Sequence, residues 1–336
     1  MKSFLITLFL IIFYFSLFSQ NDKNIDWQSD LKFLKSELPK RHIDLFSKLP
    51  ESKFDSLMDN LILKCNTTSN EQIYLNLLQI IAKIGDSHTS INLTTNDLIK
   101  FSNKFPIFLD YYKDGYYITV ATKENSSILG KKIVKINGIE LSTIIDSLST
   151  LFVTDNIACF KNKIPSYLMH YFFLHNFGFA KNEEIKFTVI DKNKKQEEYS
   201  INYSNFKVED LTFLPVKSSF VQKNIKLIFS DTLFESDSIY YIQYNKCSSR
   251  ELEEKLGNSK KAKLYPSFDS FKARILKTIN EKQFTKLVFD VRFNGGGSSI
   301  QGSELIEEMK QLLKNKPNIK PIIVIGRKTF LPQFLM

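Results

Sequence analysis

Two short stretches of the sequence combine residue types that can do chemistry. The first is IGDSHTS (residues 84–90), in which His88 follows Asp86 by two positions and lies among hydroxyl side chains. A loop histidine can act as a general base, and a neighbouring carboxylate can fix which ring nitrogen carries the proton. Taken alone, such a histidine is more often solvated or structural. The other histidines lack this pattern and are interpreted as core or surface residues: His42, His170 and His175.

The second stretch is DVRFNGGG (residues 290–297), which follows an apolar run and precedes a helical pattern. Glycines permit a tight turn and close approach of the backbone to a ligand. Successive N–H groups at the start of a helix can bind a phosphate or the oxyanion of acyl transfer. Neither a P-loop nor a Gly-x-Gly-x-x-Gly fingerprint is present. A plain strand-to-helix turn is the simplest alternative.

The elements that must position these stretches can be predicted from residue patterns. Apolar residues at helical spacing predict helices over 54–62 and 70–84, the second capped by Ser69 or Thr68 and stopped by Gly85. β-prone runs and turn residues predict strands and hairpins over 105–121, 133–140, 184–204 and 238–245.

The last third of the sequence predicts a βαβ unit. The run KLVFDV (286–291) has the continuous apolar character of a strand that is buried on both faces. A helix is predicted from about 303 to 316, and the run KPIIVIG (320–326) is the next strand. Such a unit is normally right-handed and belongs to a parallel sheet.

The composition of the 336 residues excludes several classes of protein. Thirty Phe and 14 Tyr argue against disorder. The net charge is +10, but the lysines are scattered, so we expect no nucleic-acid binding. The three cysteines are far apart and form neither a disulfide framework nor a metal-ligand pattern. We therefore expect no metal and no cofactor.

The N-terminus predicts export. Residues 1–20 combine a basic start, an apolar run of about 15 residues and a polar exit, which are the parts of a signal peptide. An uncleaved anchor is the alternative, although the run is short for a membrane span. After cleavage we expect no integral membrane span and a periplasmic, extracellular or cell-envelope location. No cysteine follows the run, so a lipid anchor is not expected.

The ordered motifs GDSHT, LGKKIVKINGIEL, KLVFDVRFNGGG and VIGRKTF resemble the S41 family of serine peptidases. These are the tail-specific or C-terminal-processing proteases, and the resemblance is to the branch closer to the tricorn core protease. It implies an α+β / α/β fold: an N-terminal helical part, a PDZ-like β-rich module, and an incomplete α/β catalytic core with parallel strands of the ClpP/crotonase type. The implied divisions are a signal peptide (1–20), a helical subdomain with the His loop (21–100), the PDZ-like module (101–145), a helical segment with a hairpin (146–205) and the truncated core (206–336).

The resemblance also implies roles for individual residues. His88 corresponds to the general base, and Gly296 and Gly297 correspond to the glycines that help form the oxyanion hole. Other residues at motif positions are interpreted as supporting the His loop or shaping the glycine turn: Asp86, Asp290, Arg292 and Asn294. The substrate would be a peptide or a protein.

The nucleophile of the family is missing from this sequence. The family has a segment resembling Arg-x-Thr-Phe-Ser, whereas this chain reads Arg-Lys-Thr-Phe-Leu, with Leu331 at the serine position. The helix, the sheet strands and the acidic residue that follow in the family have no counterpart in this sequence, which ends at Met336. We expect this chain to be inactive, and its incomplete sheet to self-associate through an exposed edge. The alternatives are a non-catalytic exported protein that binds peptides or hydrophobic ligands, and a non-functional truncated gene product.

Overall fold

The computed structural model describes residues 25–91, 103–215, 219–298, 300–327 and 329. The predicted signal peptide and Leu331 lie outside these residues. The signal peptide and the assignment of position 331 to the nucleophile therefore stay predictions. The chain divides into two compact units, one of Met1–Ile99 with Thr150–Val153, and one of Lys100–Ser149 with Thr154–Met336. No helix in the described part of the chain is long and apolar enough to cross a membrane.

Among its described residues, the first unit contains the α-helices α1 (Trp27–Arg41), α2 (Glu51–Lys64) and α3 (Asn70–Ile84). The predicted bounds of α3 are confirmed, because the Ser69 hydroxyl accepts a hydrogen bond from the N–H of Gln72 and Gly85 ends the helix with a φ of 80°. The apolar faces of the helices share one core, which includes Leu31, Phe54, Met58, Ile73, Leu77, Ile81 and Ile84.

The second unit begins with a sheet of seven antiparallel strands. They are β1 (Ile107–Tyr112), β2 (Gly115–Thr122), β3 (Lys132–Ile136), β4 (Ile139–Glu140), β5 (Glu184–Ile190), β6 (Gln196–Asn202) and β7 (Leu211–Phe213). The order is β1-β2-β3-β5-β6, with β4 paired to β3 and β7 paired to β2. Asn137 and Gly138 both have positive φ, as a tight turn between β3 and β4 requires. The predicted hairpins are thus confirmed.

This sheet crosses two of the predicted domain divisions. β3 pairs with β5 across the division at 145/146, and β2 pairs with β7 across the division at 205/206. The intervening helices are α4 (Leu141–Leu148), α5 (Ile157–Leu168) and α6 (Tyr171–Asn176). Alternation of apolar residues identifies a strand but not its partner, so the sequence could not indicate that these strands share a sheet.

A second sheet follows, with strands β8 (Phe229–Phe234), β9 (Ile239–Tyr244), β10 (Lys286–Asp290) and β11 (Lys320–Val324). Its order is β11-β10-β9-β8; β10 is parallel to both of its neighbours, and β8 is antiparallel to β9. The helices of this part are α7 (Phe220–Lys223), α8 (Arg250–Lys255), α9 (Ser259–Ala262), α10 (Phe268–Glu281) and α11 (Ile300–Lys314). The predicted βαβ unit is confirmed, because α11 connects parallel β10 and β11.

One face of this sheet packs against α10 and α11. The core between them includes Tyr240, Ile242, Tyr244, Leu287 and Phe289 from the strands, and Phe271, Ile275, Ile279, Leu305 and Met309 from the helices. The glycine-rich stretch leaves the end of β10 and leads to α11, which places it at the carboxyl edge of the parallel strands. The predicted mixed α/β class, with N-terminal helices, a β-rich part and a sheet with parallel strands, is confirmed.

Candidate active site

The His loop starts where α3 ends. Lys48 donates a hydrogen bond from Nζ to the carbonyl of Gly85 (2.7 Å), which holds the first residue of the loop. Asp86 then folds back on the chain, and its Oδ1 accepts the backbone N–H of His88 (3.1 Å) and lies 3.4 Å from His88 Nδ1. A carboxylate can only accept, so Nδ1 of neutral His88 carries the proton and Nε2 is the acceptor. The spacing Asp-x-His therefore orients an exposed histidine by a local turn.

The second oxygen of Asp86 is also hydrogen-bonded. The Thr89 hydroxyl donates to Oδ2 (2.6 Å), and the Thr89 N–H donates to the Asp86 carbonyl (3.2 Å). The Thr89 hydroxyl, and after it the backbone N–H of His88, lower the pKa of Asp86 to about 2. Asp86 is therefore anionic at neutral pH and can accept from His88. Ser87, which also lies in the loop, has a solvent-shielded Oγ with no hydrogen-bond partner among the described residues.

His42 joins this loop, which the sequence did not indicate. Its Nε2 lies 2.8 Å from Thr89 Oγ1 and 3.4 Å from Asp86 Oδ2. The sequence suggested that His42 is a core or surface residue. No local motif marks it, since its partner Thr89 is 47 positions away. The structure instead places two histidines on one carboxylate.

The glycine turn is held at its start by Asp290, whose side chain is fully buried. Oδ1 of Asp290 accepts the Arg292 N–H (2.9 Å) and Nε (3.0 Å), while the Tyr241 hydroxyl donates to Oδ2. Burial, and then the contact with Asp290, raise the pKa of Tyr241, so the phenol keeps its proton. The supporting role of Asp290 and Arg292 stays a prediction, and the contacts also include Tyr241, which no sequence pattern marked.

Asn294 holds the middle of the turn. Its buried side chain accepts the Gly296 N–H at Oδ1 (2.9 Å) and donates from Nδ2 to the Tyr244 carbonyl (3.1 Å). Gly297 has a φ of 124°, and a Cβ there would lie 2.7 Å from the carbonyl oxygen of Cys247. Position 297 therefore accepts only glycine without rearrangement. Cys247 and Tyr244 support the turn from about 50 residues upstream, beyond the reach of any local motif.

One of the two predicted oxyanion donors is engaged in this structure. Because the Gly296 N–H donates to Asn294, an oxyanion bound there would have to share or replace that hydrogen bond. His88 lies in the first unit and the turn in the second. The catalytic roles of His88, Gly296 and Gly297 stay predictions.

The segment that leads toward position 331 is anchored beside the same turn. Val291, directly after β10, donates its N–H to the Val324 carbonyl (2.9 Å). A Cβ on Gly326 would lie 2.5 Å from the Arg292 carbonyl oxygen, so the two backbones are in close contact. The Thr329 hydroxyl accepts from the Gly326 N–H and donates to the Val291 carbonyl, both at 2.8 Å. The end of β10 thus carries both the glycine turn and the anchor of this segment.

Within the described residues, no group of three or more His, Cys, Asp or Glu side chains is placed to hold a metal ion. The two clusters contain groups that can transfer a proton or donate hydrogen bonds. A histidine with a fixed tautomer and a turn of backbone N–H groups are parts that acyl transfer uses.

Comparisons with known proteins connect this fold to proteases. No family model and no curated protein matches the sequence. Two solved structures of CPAF, a chlamydial tail-specific protease, do resemble it. A serine-to-alanine variant aligns over 81% of this chain and 57% of its own, with 13% identity and a TM-score of 0.51. Mature CPAF complexed with lactacystin aligns over 83% of this chain and 58% of its own, with 14% identity and a TM-score of 0.50.

The likeness establishes the fold alone, because the identity is so low. The chain spans 57–58% of the length of these CPAF structures. The tricorn protease aligns over 83% of this chain and 24% of its own, with 14% identity, but its TM-score of 0.25 is too low to support a conclusion. The chain therefore has a peptidase-like fold, and its chemistry must be argued from its residues.

Proposed function

We propose that this chain is a relative of the S41 serine peptidases, with a site built for peptide-bond hydrolysis through an acyl-enzyme. His88 would accept a proton at Nε2 while Asp86 holds Nδ1, and the turn at Gly296 and Gly297 would receive the oxyanion. The observation that carries this proposal is the anchor of Thr329 on Val291. Thr329, two residues before position 331, is thus bound to the residue that directly follows β10 and leads into the glycine turn.

We further propose that the chain does not hydrolyse peptides while Leu331 occupies the position of the nucleophile. Leucine has no nucleophilic atom, so a base and an oxyanion turn alone cannot form an acyl-enzyme. Loss of one oxyanion donor costs about 100- to 1000-fold in rate. A serine elsewhere in the site would place its oxyanion away from these donors and would incur a comparable loss.

A fluorophosphonate probe, which acylates activated serines, tests both proposals. We expect no labelling of the wild-type chain, and slow labelling of Leu331→Ser that disappears when His88→Ala is added. Leu331→Ala is the matched control, because it changes the same side chain without supplying a nucleophile. His88-dependent labelling of the wild type would refute inactivity. A Leu331→Ser protein that folds but shows no His88-dependent labelling would refute the assignment of the site.

A second candidate function is binding of a peptide or hydrophobic ligand, and a cavity in the second unit favours it. The cavity of about 380 Å³ is lined by residues of β1, β2 and α5, including Phe108, Val120 and Pro165. Lys104 and His170 also line it. Burial, with a smaller contribution from Lys104, lowers the pKa of His170 to about 4. A lysine beside an apolar groove at a strand suits a peptide that ends in a free carboxylate.

Calorimetric titration with paired peptides tests this second function. We expect an apolar peptide with a free C-terminus to bind more tightly than its C-terminally amidated form, and Lys104→Gln to remove the difference. Val120→Arg, which would fill the cavity, should abolish binding of both forms. Equal affinity of the two peptides for the wild type would rule out carboxylate capture.

We also propose that residues 1–20 direct export. The support is the basic start and short apolar run of the sequence. N-terminal sequencing of the protein recovered from the periplasm of an expressing bacterium should give a start near residue 21. Full-length protein retained in the cytoplasm would contradict the proposal.

A further inference from the structure

His42 follows α1 directly, and its side chain is only 15% exposed. Surrounding protein atoms therefore hold the ring in place. Its two ring nitrogens have different partners. Nδ1 lies 3.1 Å from the backbone N–H of Asp44, and Nε2 lies 2.8 Å from Thr89 Oγ1. We propose that His42 is a positioning residue that holds His88 in one tautomer through Thr89 and Asp86.

The partners fix the protonation of His42 itself. The Asp44 N–H can only donate, so Nδ1 of His42 must be an unprotonated acceptor. In the neutral ring the proton is therefore on Nε2, which donates to Thr89 Oγ1. Thr89 in turn donates its own proton to Asp86 Oδ2 (2.6 Å). All donor and acceptor roles are thus assigned along one chain, from His42 through Thr89 to Asp86.

The direction of this chain determines what Asp86 can offer to His88. A threonine hydroxyl can donate in several directions, and a donor that occupies one of its lone pairs restricts that choice. With His42 as that donor, the Thr89 proton points to Oδ2, and Oδ1 stays available to the N–H groups of His88. Linked hydrogen bonds of this kind also strengthen one another by polarisation. The result is a carboxylate fixed in the orientation that keeps the His88 proton on Nδ1.

This inference rests on the proposed function in giving His88 the role of a base, but its test does not need a nucleophile. Two-bond ¹H–¹⁵N correlation spectra of the full chain with ¹⁵N-labelled histidine report which nitrogen of His88 carries the proton. We expect the Nδ1–H form in the wild type. His42→Asn should lose that form, since an Asn oxygen can accept from Asp44 but its side chain cannot reach Thr89.

The matched variant is His42→Gln, whose longer side chain can place an N–H near the position of Nε2. We expect it to restore the Nδ1–H form of His88. Thr89→Val should lose the form, because it removes the hydroxyl while keeping the shape, and Thr89→Ser should retain it. A purely structural role for His42 would make Gln and Asn equally harmful, or leave the tautomer unchanged in all variants that fold. Either result would overturn the inference.

The two proposals can fail separately. An unchanged tautomer in His42→Asn would remove His42 from the site and leave the labelling result for Leu331→Ser untouched. If the fluorophosphonate probe did not label Leu331→Ser, the acyl-enzyme proposal would be refuted. The spectra would still report whether His42 fixes the tautomer of His88. Thermal melts of each variant by circular dichroism identify proteins that have unfolded. If His42→Asn or Thr89→Val does not fold, His42→Gln and Thr89→Ser still test whether the Nδ1–H form is retained.

Discussion

Gly295 and Gly297 lie two positions apart in one turn, but the structure places different demands on them. Gly297 has a φ of 124°, and a Cβ would meet the Cys247 carbonyl oxygen at 2.7 Å. At Gly295 a Cβ would meet no atom within 4 Å. The glycine run is therefore not uniform, and its last member is the one that the close approach of Cys247 requires.

This difference gives a prediction for stability. Gly297→Ala should lower the free energy of unfolding by about 1–3 kcal/mol, because both the backbone conformation and the contact with Cys247 resist a Cβ. Gly295→Ala, the matched control, should change it by no more than about 0.5 kcal/mol. Urea denaturation of both variants measures this. If the two variants lost equal unfolding free energy, neither the φ of Gly297 nor its contact with Cys247 would explain the loss.

Asp86 gives a prediction for pH. Its pKa is about 2 in the folded chain, below about 3.9 for an unfolded aspartate. A carboxyl with a depressed folded pKa stabilises the protein above its unfolded pKa, and that contribution is lost as the pH falls toward the folded pKa. The stability gap between the wild type and Asp86→Asn should therefore be constant near neutral pH and narrow between about pH 4 and 2. Urea midpoints of both proteins across this range measure the gap; one that does not change with pH would contradict the assignment.

The sequence predicted only those site residues that lie in local motifs. Asp86 and His88 could be found because they are two positions apart, and the glycine turn because it follows an apolar strand. His42 could not be found, since 47 residues separate it from Thr89. Cys247 likewise reaches Gly297 only through the folding of the second sheet. Contacts that form across elements leave no pattern in a single sequence.

Helices and sheets differ in the same way: helices depend on local residues, whereas sheets depend on distant ones. The bounds of α3 could be predicted because its apolar stripe, its N-cap and its stop are all local. The pairing of β3 with β5 could not be predicted, because 47 residues, which include β4 and three α-helices, lie between the two strands. A helix carries its hydrogen bonds within itself, whereas a strand depends on a distant partner.

The N-cap of α3 can be tested directly, and it matters because this helix delivers the His loop. Ser69→Ala should lower the free energy of unfolding by about 1 kcal/mol, since the N–H of Gln72 loses its acceptor. Ser69→Asp is the matched control and should retain stability, because its carboxylate can accept the same hydrogen bond. Denaturation curves for the three proteins decide the matter. A loss as large for Asp as for Ala would show that the cap does not act through this hydrogen bond.

The fold of this chain resembles a known fold, although its sequence does not resemble the sequence of that protein. The chain resembles CPAF with TM-scores of 0.51 and 0.50 at 13% and 14% identity. Apolar patterning and strand order can survive such divergence, because many side chains fill a core of given shape. Chemistry need not survive in the same way, since substitution of a single catalytic residue can abolish a reaction without disturbing a fold. Likeness of fold is therefore a poor guide to activity here.

The open edge of the second sheet leads to a prediction about assembly. Among the described residues, β11 pairs with β10 alone, which leaves its outer backbone groups without a strand partner. Lys320 and Pro321 protect the start of this edge, but Ile323 and Ile325 are 53% and 59% exposed. An apolar strand edge of this kind pairs with other chains, so the protein should self-associate with increasing concentration.

Ile323→Lys should reduce that association, because a charge on the edge strand opposes strand pairing. Leu264→Lys is the matched control, since it adds the same charge at a residue that is 82% exposed and lies outside the sheet. Light scattering over a concentration series, at constant ionic strength, compares the two variants with the wild type. If both lysines suppressed association equally, the cause would be net charge rather than the edge. If the wild type stayed monomeric at every concentration, β11 would not pair with strands of other chains.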